Sequence, residues 1–177
     1  WEDASNNKVS FHEKPNTLFR RLAWRLGSSR VIRIMKARRS SATLGQLPYG
    51  RIKLSPYALT QKHIVLHELG HILGLLHVHQ RPDRDNYILV NKEKLFDSNL
   101  MKIHDQYWRL LGLIIPGRKG SNYYTDNYDF DSIMHYRNVT YSDGNHRFTD
   151  LEGNFIEVGG VEISSMDALA IQNLYSR

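Results

Sequence analysis

The chain has 177 residues, no cysteine, and 24 Lys or Arg against 18 Asp or Glu, for a net charge of +6. That length supports one domain with a buried core, and the lack of cysteine excludes disulfides, thiolate metal ligands and a thiol nucleophile. No apolar run reaches membrane-span length, because residues 64–76 are interrupted by His, Glu and Gly, so no membrane span is expected.

The charge is unevenly placed. Twelve of the 24 cations lie between Lys14 and His67, a stretch with no Asp or Glu, while the remainder is net acidic. Such a block attracts nucleic acid, an anionic surface or an acidic polypeptide. No nucleic-acid motif accompanies it, so it reads first as a solvated cationic face and no nucleic-acid partner is expected. Trp1 onward is polar, without the basic start and apolar stretch of a secretory leader; for an exported protein this would be the processed chain.

In chain order, Lys8 to Glu13 alternates and predicts a strand, stopped by Lys14-Pro15-Asn16. Thr17 to Leu26 is basic, with Leu18, Phe19, Leu22, Trp24 and Leu26 at neither the helical nor the strand period. Val31 to Met35 predicts a second strand, Ser40, Ser41 and Gly45 a loop, and residues 50–55 a third strand. Arg51 and Lys53 on one face suit a solvent-exposed edge. Thr60 is the expected N-cap of a helix to about Leu75, with Ile64, Val65, Leu69, Ile72, Leu73 and Leu76 on its buried side. Arg81 to Asp85 is expected to be a charged turn. Residues 93–111 are expected to be mostly helical, with Leu95, Leu100, Ile103, Tyr107 and Leu110 as a core stripe. Ile115 to Asp131 is expected to be loop, and Ser164-x-x-Asp167 to be a capping box for a last helix through Tyr175.

The most informative run is His67-Glu68-Leu69-Gly70-His71-Ile72-Leu73-Gly74-Leu75-Leu76-His77. Residues four apart on an α-helix are offset by about 40°, so His67 and His71 project from one face toward one metal ion. Glu68 stands about 100° round, placed to touch the attacking water without replacing a ligand. Six residues on, a continuing helix would turn His77 away, so the chain has to break and fold back, and Gly74 is placed to end the helix. Three neutral histidines leave one zinc position open, the arrangement of a catalytic zinc site.

The sequence resembles the metzincin zinc peptidases and, within them, the astacin family. The residues that carry this are the run above, then His77-x-x-x-Arg81-x-Asp83-Arg84-Asp85-Asn86-Tyr87. Ser132-Ile133-Met134-His135-Tyr136 and Ile163-Ser164-x-x-Asp167-x-x-x-Ile171-x-x-Leu174-Tyr175 complete them. The resemblance implies an α+β fold: a twisted mixed sheet and the active-site helix in residues 1–77, then a mostly irregular part with a final helix in 78–177. Both would belong to a single catalytic domain.

By the same resemblance Met134 is the hydrophobic floor beneath the three histidines. Tyr136 is an additional, weakly held zinc ligand that swings off to hydrogen-bond the oxyanion. The strand 50–55, through Arg51, Ile52 and Lys53, is expected to pair with an extended substrate, and Arg137 to face the pocket beyond the scissile bond. The expected activity is that of a secreted zinc endopeptidase with one Zn²⁺, His67, His71 and His77 as ligands and Glu68 as general base. Its expected partners are protein or peptide substrates, with an inhibitory pro-segment or a separate N-terminal fragment as a further partner. Three departures accompany the resemblance. Val78 stands where the family usually has a Glu that anchors the mature N-terminus, the usual disulfides are absent, and Trp1 aligns with the end of the family's first long helix. An initial strand and most of that helix are therefore expected upstream. The rival readings are an inactive zinc-bearing protein that binds an acidic partner through residues 14–67, and a nucleic-acid binder.

Overall fold

The computed structural model describes residues 1–13, 31–45, 49–95 and 125–176. The strands predicted at 31–35 and 50–55 form as β1 (Val31–Lys36) and β3 (Tyr49–Leu54), parallel and in register, with Ile34 beside Ile52. Between them in sequence, the Ser-rich stretch read as loop holds a two-residue strand, β2 (Ser41–Ala42). It lies antiparallel against Lys53 and Ile52, so the sheet order is β1-β3-β2.

That order corrects one expectation: β3 is central, not an edge. Ile52 is fully buried, and Arg51 donates its N–H to Thr43 Oγ1 while its carbonyl accepts from the Thr43 N–H. A strand whose backbone groups are taken on both sides cannot add a substrate strand. The strand that borders the cleft is β2.

The expected strand at 8–13 does not form. A 3₁₀ turn at Asp3–Ser5 precedes it, and side chains take its backbone donors: Val9 N–H goes to Ser5 Oγ and Phe11 N–H to Glu2 Oε1. Side-chain acceptors of this kind compete with a ladder. Thr17–Leu26 lies outside the described residues. So does the 93–111 stripe beyond Leu95, where the short helix α2 (Lys92–Leu95) is all that is described.

The active-site helix, α1 (Lys62–Leu73), begins later than expected. Thr60 is not its cap: it ends a 3₁₀ turn, Ala58–Thr60, and its hydroxyl donates to Tyr57 O. The helix has three functional faces at the spacing of its residues. Val65, Leu69 and Ile72 pack on the sheet with Ile52, Leu54 and Ala58. Leu66 and Leu73 meet a second core made with Leu75, Val78, Ile133, Met134, Phe148 and Ile171. His67 and His71 occupy the remaining face. Burying a side chain such as Ile72 or Leu73 contributes roughly 1.5–3 kcal/mol, so burial fixes the rotation of the helix about its axis.

Gly74 ends the helix at a φ of 109°, and its N–H reaches the carbonyls of Gly70 and His71. Leu75 N–H returns to Gly70 O at 3.0 Å, closing a Schellman cap. Beyond the turn, β4 (Leu89–Val90) pairs with β5 (Phe148–Thr149). The last helix, α3 (Ser165–Leu174), has the predicted capping box with both arms present. No helix among the described residues is long and apolar enough to cross a membrane. Gly74→Ala should cost about 1–2 kcal/mol, because a Cβ is disfavoured at positive φ. A urea midpoint equal to that of the unsubstituted chain would contradict the role given to this cap.

Candidate active site

Helix α1 and the bend at Gly74 bring three imidazoles together. His77 Nε2 lies 3.1 Å from His67 Nε2 and 3.0 Å from His71 Nε2. The outer nitrogen of each ring is tied to an acceptor. His67 Nδ1 donates to Ile133 O at 2.7 Å, His71 Nδ1 to Leu75 O at 2.9 Å, and His77 Nδ1 to Gln80 Oε1 at 2.9 Å. A carbonyl or amide oxygen only accepts, so each ring carries its proton on Nδ1 and points the Nε2 lone pair inward.

Burial also keeps the rings neutral. It lowers the pKa of His67, pushes that of His71 down to about 3, and holds that of His77 well below the usual value; the other rings add to the effect for His71 and His77. The inward lone pair of His77 faces each of the other two at about 3 Å and repels them, and a cation between the three turns that repulsion into coordination. Tetrahedral zinc with Zn–N of about 2.0–2.1 Å separates its ligand nitrogens by about 3.3 Å, a few tenths more than the spacing found here. Among the described residues these three form the one cluster with metal-ligand geometry.

Glu68 stands beside this cluster and lines the same cavity. It is 6% exposed, and its Oε2 is buried without a hydrogen-bond partner. Burial pushes its carboxyl up to about 7. A buried carboxylate oxygen left unpaired is costly, which fits an atom aimed at a reactant and not at the scaffold.

Tyr136 closes the site from the other side, its ring centroid 4.5 Å from that of His77 and 6.2 Å from that of His67. Burial, and then the charge of Glu68, raise its phenol above the ordinary value, so it stays protonated. His79, which sequence reasoning passed over, is 1% exposed and packs its ring 4.3 Å from Tyr136. Its Nδ1 accepts from the Tyr136 N–H at 3.4 Å. The available signal was its place two residues beyond the third histidine, but a lone His at a turn seldom stands out.

The turn that carries Tyr136 is held by one carboxylate. Asp167 accepts from Ser132 Oγ at 2.6 Å, from Ile133 N–H at 2.9 Å and from Ser164 N–H at 3.1 Å. The capping residue of α3 therefore also fixes the backbone that presents Ile133 O to His67. Met134 lies under the helix at 1% exposure, and Gly70 explains how it fits there: a Cβ on Gly70 would lie 2.5 Å from Met134 Sδ. Val78 is buried in the same core and donates its N–H to Met134 O at 3.2 Å. The expected charged turn forms, and its two arginines are buried: Arg81 and Arg84 are 2% and 1% exposed. Arg81 forks onto Asp83 and reaches Asn127 O, while Arg84 donates to His79 O, so these cations set the backbone beyond His77.

The cavity holds about 590 Å³ and runs from Ser40, Ser41, Ala42 and Leu44 on the β2 side to Arg137 and Gly160 on the other. Arg137 is thus on the cavity wall. Arg51, Ile52 and Lys53 are not, because Ile52 is buried in the core and the other two project from the opposite face of the sheet.

Comparison with known proteins agrees with this geometry. The family model described as Astacin, a peptidase family, matches residues 25–176. Tolloid-like protein 1 of Homo sapiens is 40% identical over 84 residues, covering 46% of this chain and 7% of that protein. Zinc metalloproteinase nas-6 of Caenorhabditis elegans is 33% identical over 116 residues, covering 64% of this chain and 31% of that protein. The chain thus spans less than a third of the length of either relative. High choriolytic enzyme 1, a hatching-enzyme zinc protease of the medaka Oryzias latipes, superposes with a TM-score of 0.63 at 22% identity, covering 85% of this chain and 70% of that one. Asp167→Asn replaces an acceptor of three donors with an amide that opposes at least one of them, and should destabilise the fold by about 1–3 kcal/mol. Unchanged stability in chemical denaturation would show that the carboxylate is not the clamp.

Proposed function

The chain belongs to the astacin family of peptidases, and from that premise we propose that it is a zinc endopeptidase whose ligands are His67, His71 and His77. The observation that carries this reading is the inward set of three neutral Nε2 atoms beside an unpaired buried carboxylate. Zinc, the cofactor of this family, supplies Lewis acidity when bound: it acidifies a water and polarises the scissile carbonyl.

The chain's own groups perform the rest. Glu68 takes the proton of the attacking water on its carboxylate and passes it to the leaving amine. A carboxyl already poised near neutrality by burial is suited to both halves of that transfer. Tyr136, which would also help hold the zinc weakly, donates its hydroxyl hydrogen to the oxyanion that develops on the scissile carbonyl. Met134 floors the site, and Arg137 contacts the side chain beyond the scissile bond. The edge of β2, unpaired among the described residues, receives an extended polypeptide by strand addition.

We read residues 1–77 and 78–177 as the two parts of one catalytic domain with the cleft between them, a division supported by the two core clusters on either side of α1. The protein is read as secreted, as the family resemblance implies, with protein or peptide substrates and an inhibitory pro-segment as partners. The alternative of an inactive zinc-bearing protein is disfavoured by Glu68, since a purely structural site needs no unpaired carboxylate beside the metal.

A chelator should abolish hydrolysis of an unstructured protein, and stoichiometric zinc should restore it. Glu68→Gln should keep about one zinc yet lose several orders of magnitude in kcat. Tyr136→Phe should lose about one to two decades, mostly in kcat. Near-normal turnover by Glu68→Gln, or active protein free of zinc on metal analysis, would contradict the assignment.

A further inference from the structure

The side of the sheet opposite α1 is crowded with like charge. Arg33 and Arg51 are register partners on β1 and β3, and Lys53 lies one pleat further along the same face. All three are exposed, as are Arg38 and Arg39 in the turn after β1. Among the described residues none of the five has an ion-pair partner. Like charges directly opposite one another in a sheet are destabilising, and no carboxylate is near in sequence, since residues 14–67 contain none.

This face is continuous with the cleft. Ser41 lines the cavity and is the register partner of Lys53, so the two side chains share a face of the sheet. Neighbouring strands are about 4.8 Å apart. Lys53 and Arg51 therefore stand one strand, and Arg33 two strands, from the edge that borders the site. The nearer positions lie within about 8 Å, the physiological Debye length. The guanidinium forks suit bidentate contact with carboxylates.

We propose that this face is a docking surface for an acidic segment of the polypeptide substrate, flanking the stretch that occupies the cleft. The inference rests on the peptidase reading above and adds a substrate class to it: chains with a run of Asp or Glu a few residues from the cleaved bond. Continuity with the cleft through β2 is what favours a polypeptide over another polyanion.

The test uses two fluorescent peptides with one cleavable centre, one flanked by an Asp run and the other by Asn. Binding is read by anisotropy on the Glu68→Gln protein, and kcat/KM on the unsubstituted protein. The Asp peptide should bind about tenfold more tightly at low salt and lose that advantage at about 0.5 M NaCl. The double substitution Arg33→Glu/Arg51→Glu should bring the preference to about one while leaving kcat/KM for the Asn peptide unchanged. Arg33→Gln/Arg51→Gln, which removes charge without reversing it, should act the same way if the reversal impairs folding. Equal binding of both peptides by the parent protein, or a preference that survives both substitutions, would overturn the proposal. So would tight binding of a heparin oligosaccharide or a single-stranded oligonucleotide with none of the Asp peptide. If neither peptide is cut but the charge-dependent binding holds, the peptidase reading fails and with it the substrate class, while the acidic docking surface stands.

Discussion

Everything in the site depends on three hydrogen bonds that face away from it. Ile133 O, Leu75 O and Gln80 Oε1 each claim the Nδ1 proton of one histidine, and in doing so aim the three Nε2 lone pairs at a common point. Such outer contacts fix the tautomer and orientation of a metal-ligating imidazole. They come from three different segments, the turn at 132–136, the bend after α1 and the 3₁₀ turn Val78–Gln80, so the site exists only when all three are docked.

The docking is achieved by a seam between the helix and the turn beneath it. Met134 fits there because residue 70 has no side chain, and Asp167 holds the turn while capping the final helix. Position 78 belongs to the same seam. Where the family usually carries a glutamate, this chain has a buried valine whose side chain joins the lower core and whose N–H meets Met134 O. A carboxylate there would need a cationic partner to offset its desolvation. A valine needs none, and the seam at this point is held by apolar packing and one backbone hydrogen bond.

Features governed by local rules were legible in the sequence. The i, i+4 histidines, the glycine stop and the Ser-x-x-Asp cap are fixed by helical geometry, and each lies where its spacing implied. Features settled by tertiary competition were not. The alternation at 8–13 resembles a strand, but Ser5 and Glu2 take its donors. Two-residue β2 is too short to carry a period, so β3 looked like the edge it does not form. Arg81 and Arg84 look like surface charges in sequence, and only the fold shows the carboxylate and the carbonyls that make their burial tolerable. His79 gave no pattern at all, since its role depends on a residue 57 positions away.

The cationic sheet face and the catalytic cleft meet at β2, which makes that short strand the place where affinity and chemistry would be joined. The claim beneath both is that the chain is built around one zinc ion on three imidazoles. Zinc K-edge absorption of the purified protein tests this most directly. The account predicts a shell of light atoms at about 2.0–2.1 Å with the multiple-scattering pattern of three imidazoles, reduced to two in His77→Ala. A spectrum with one imidazole or none, or one unchanged by that substitution, would contradict it.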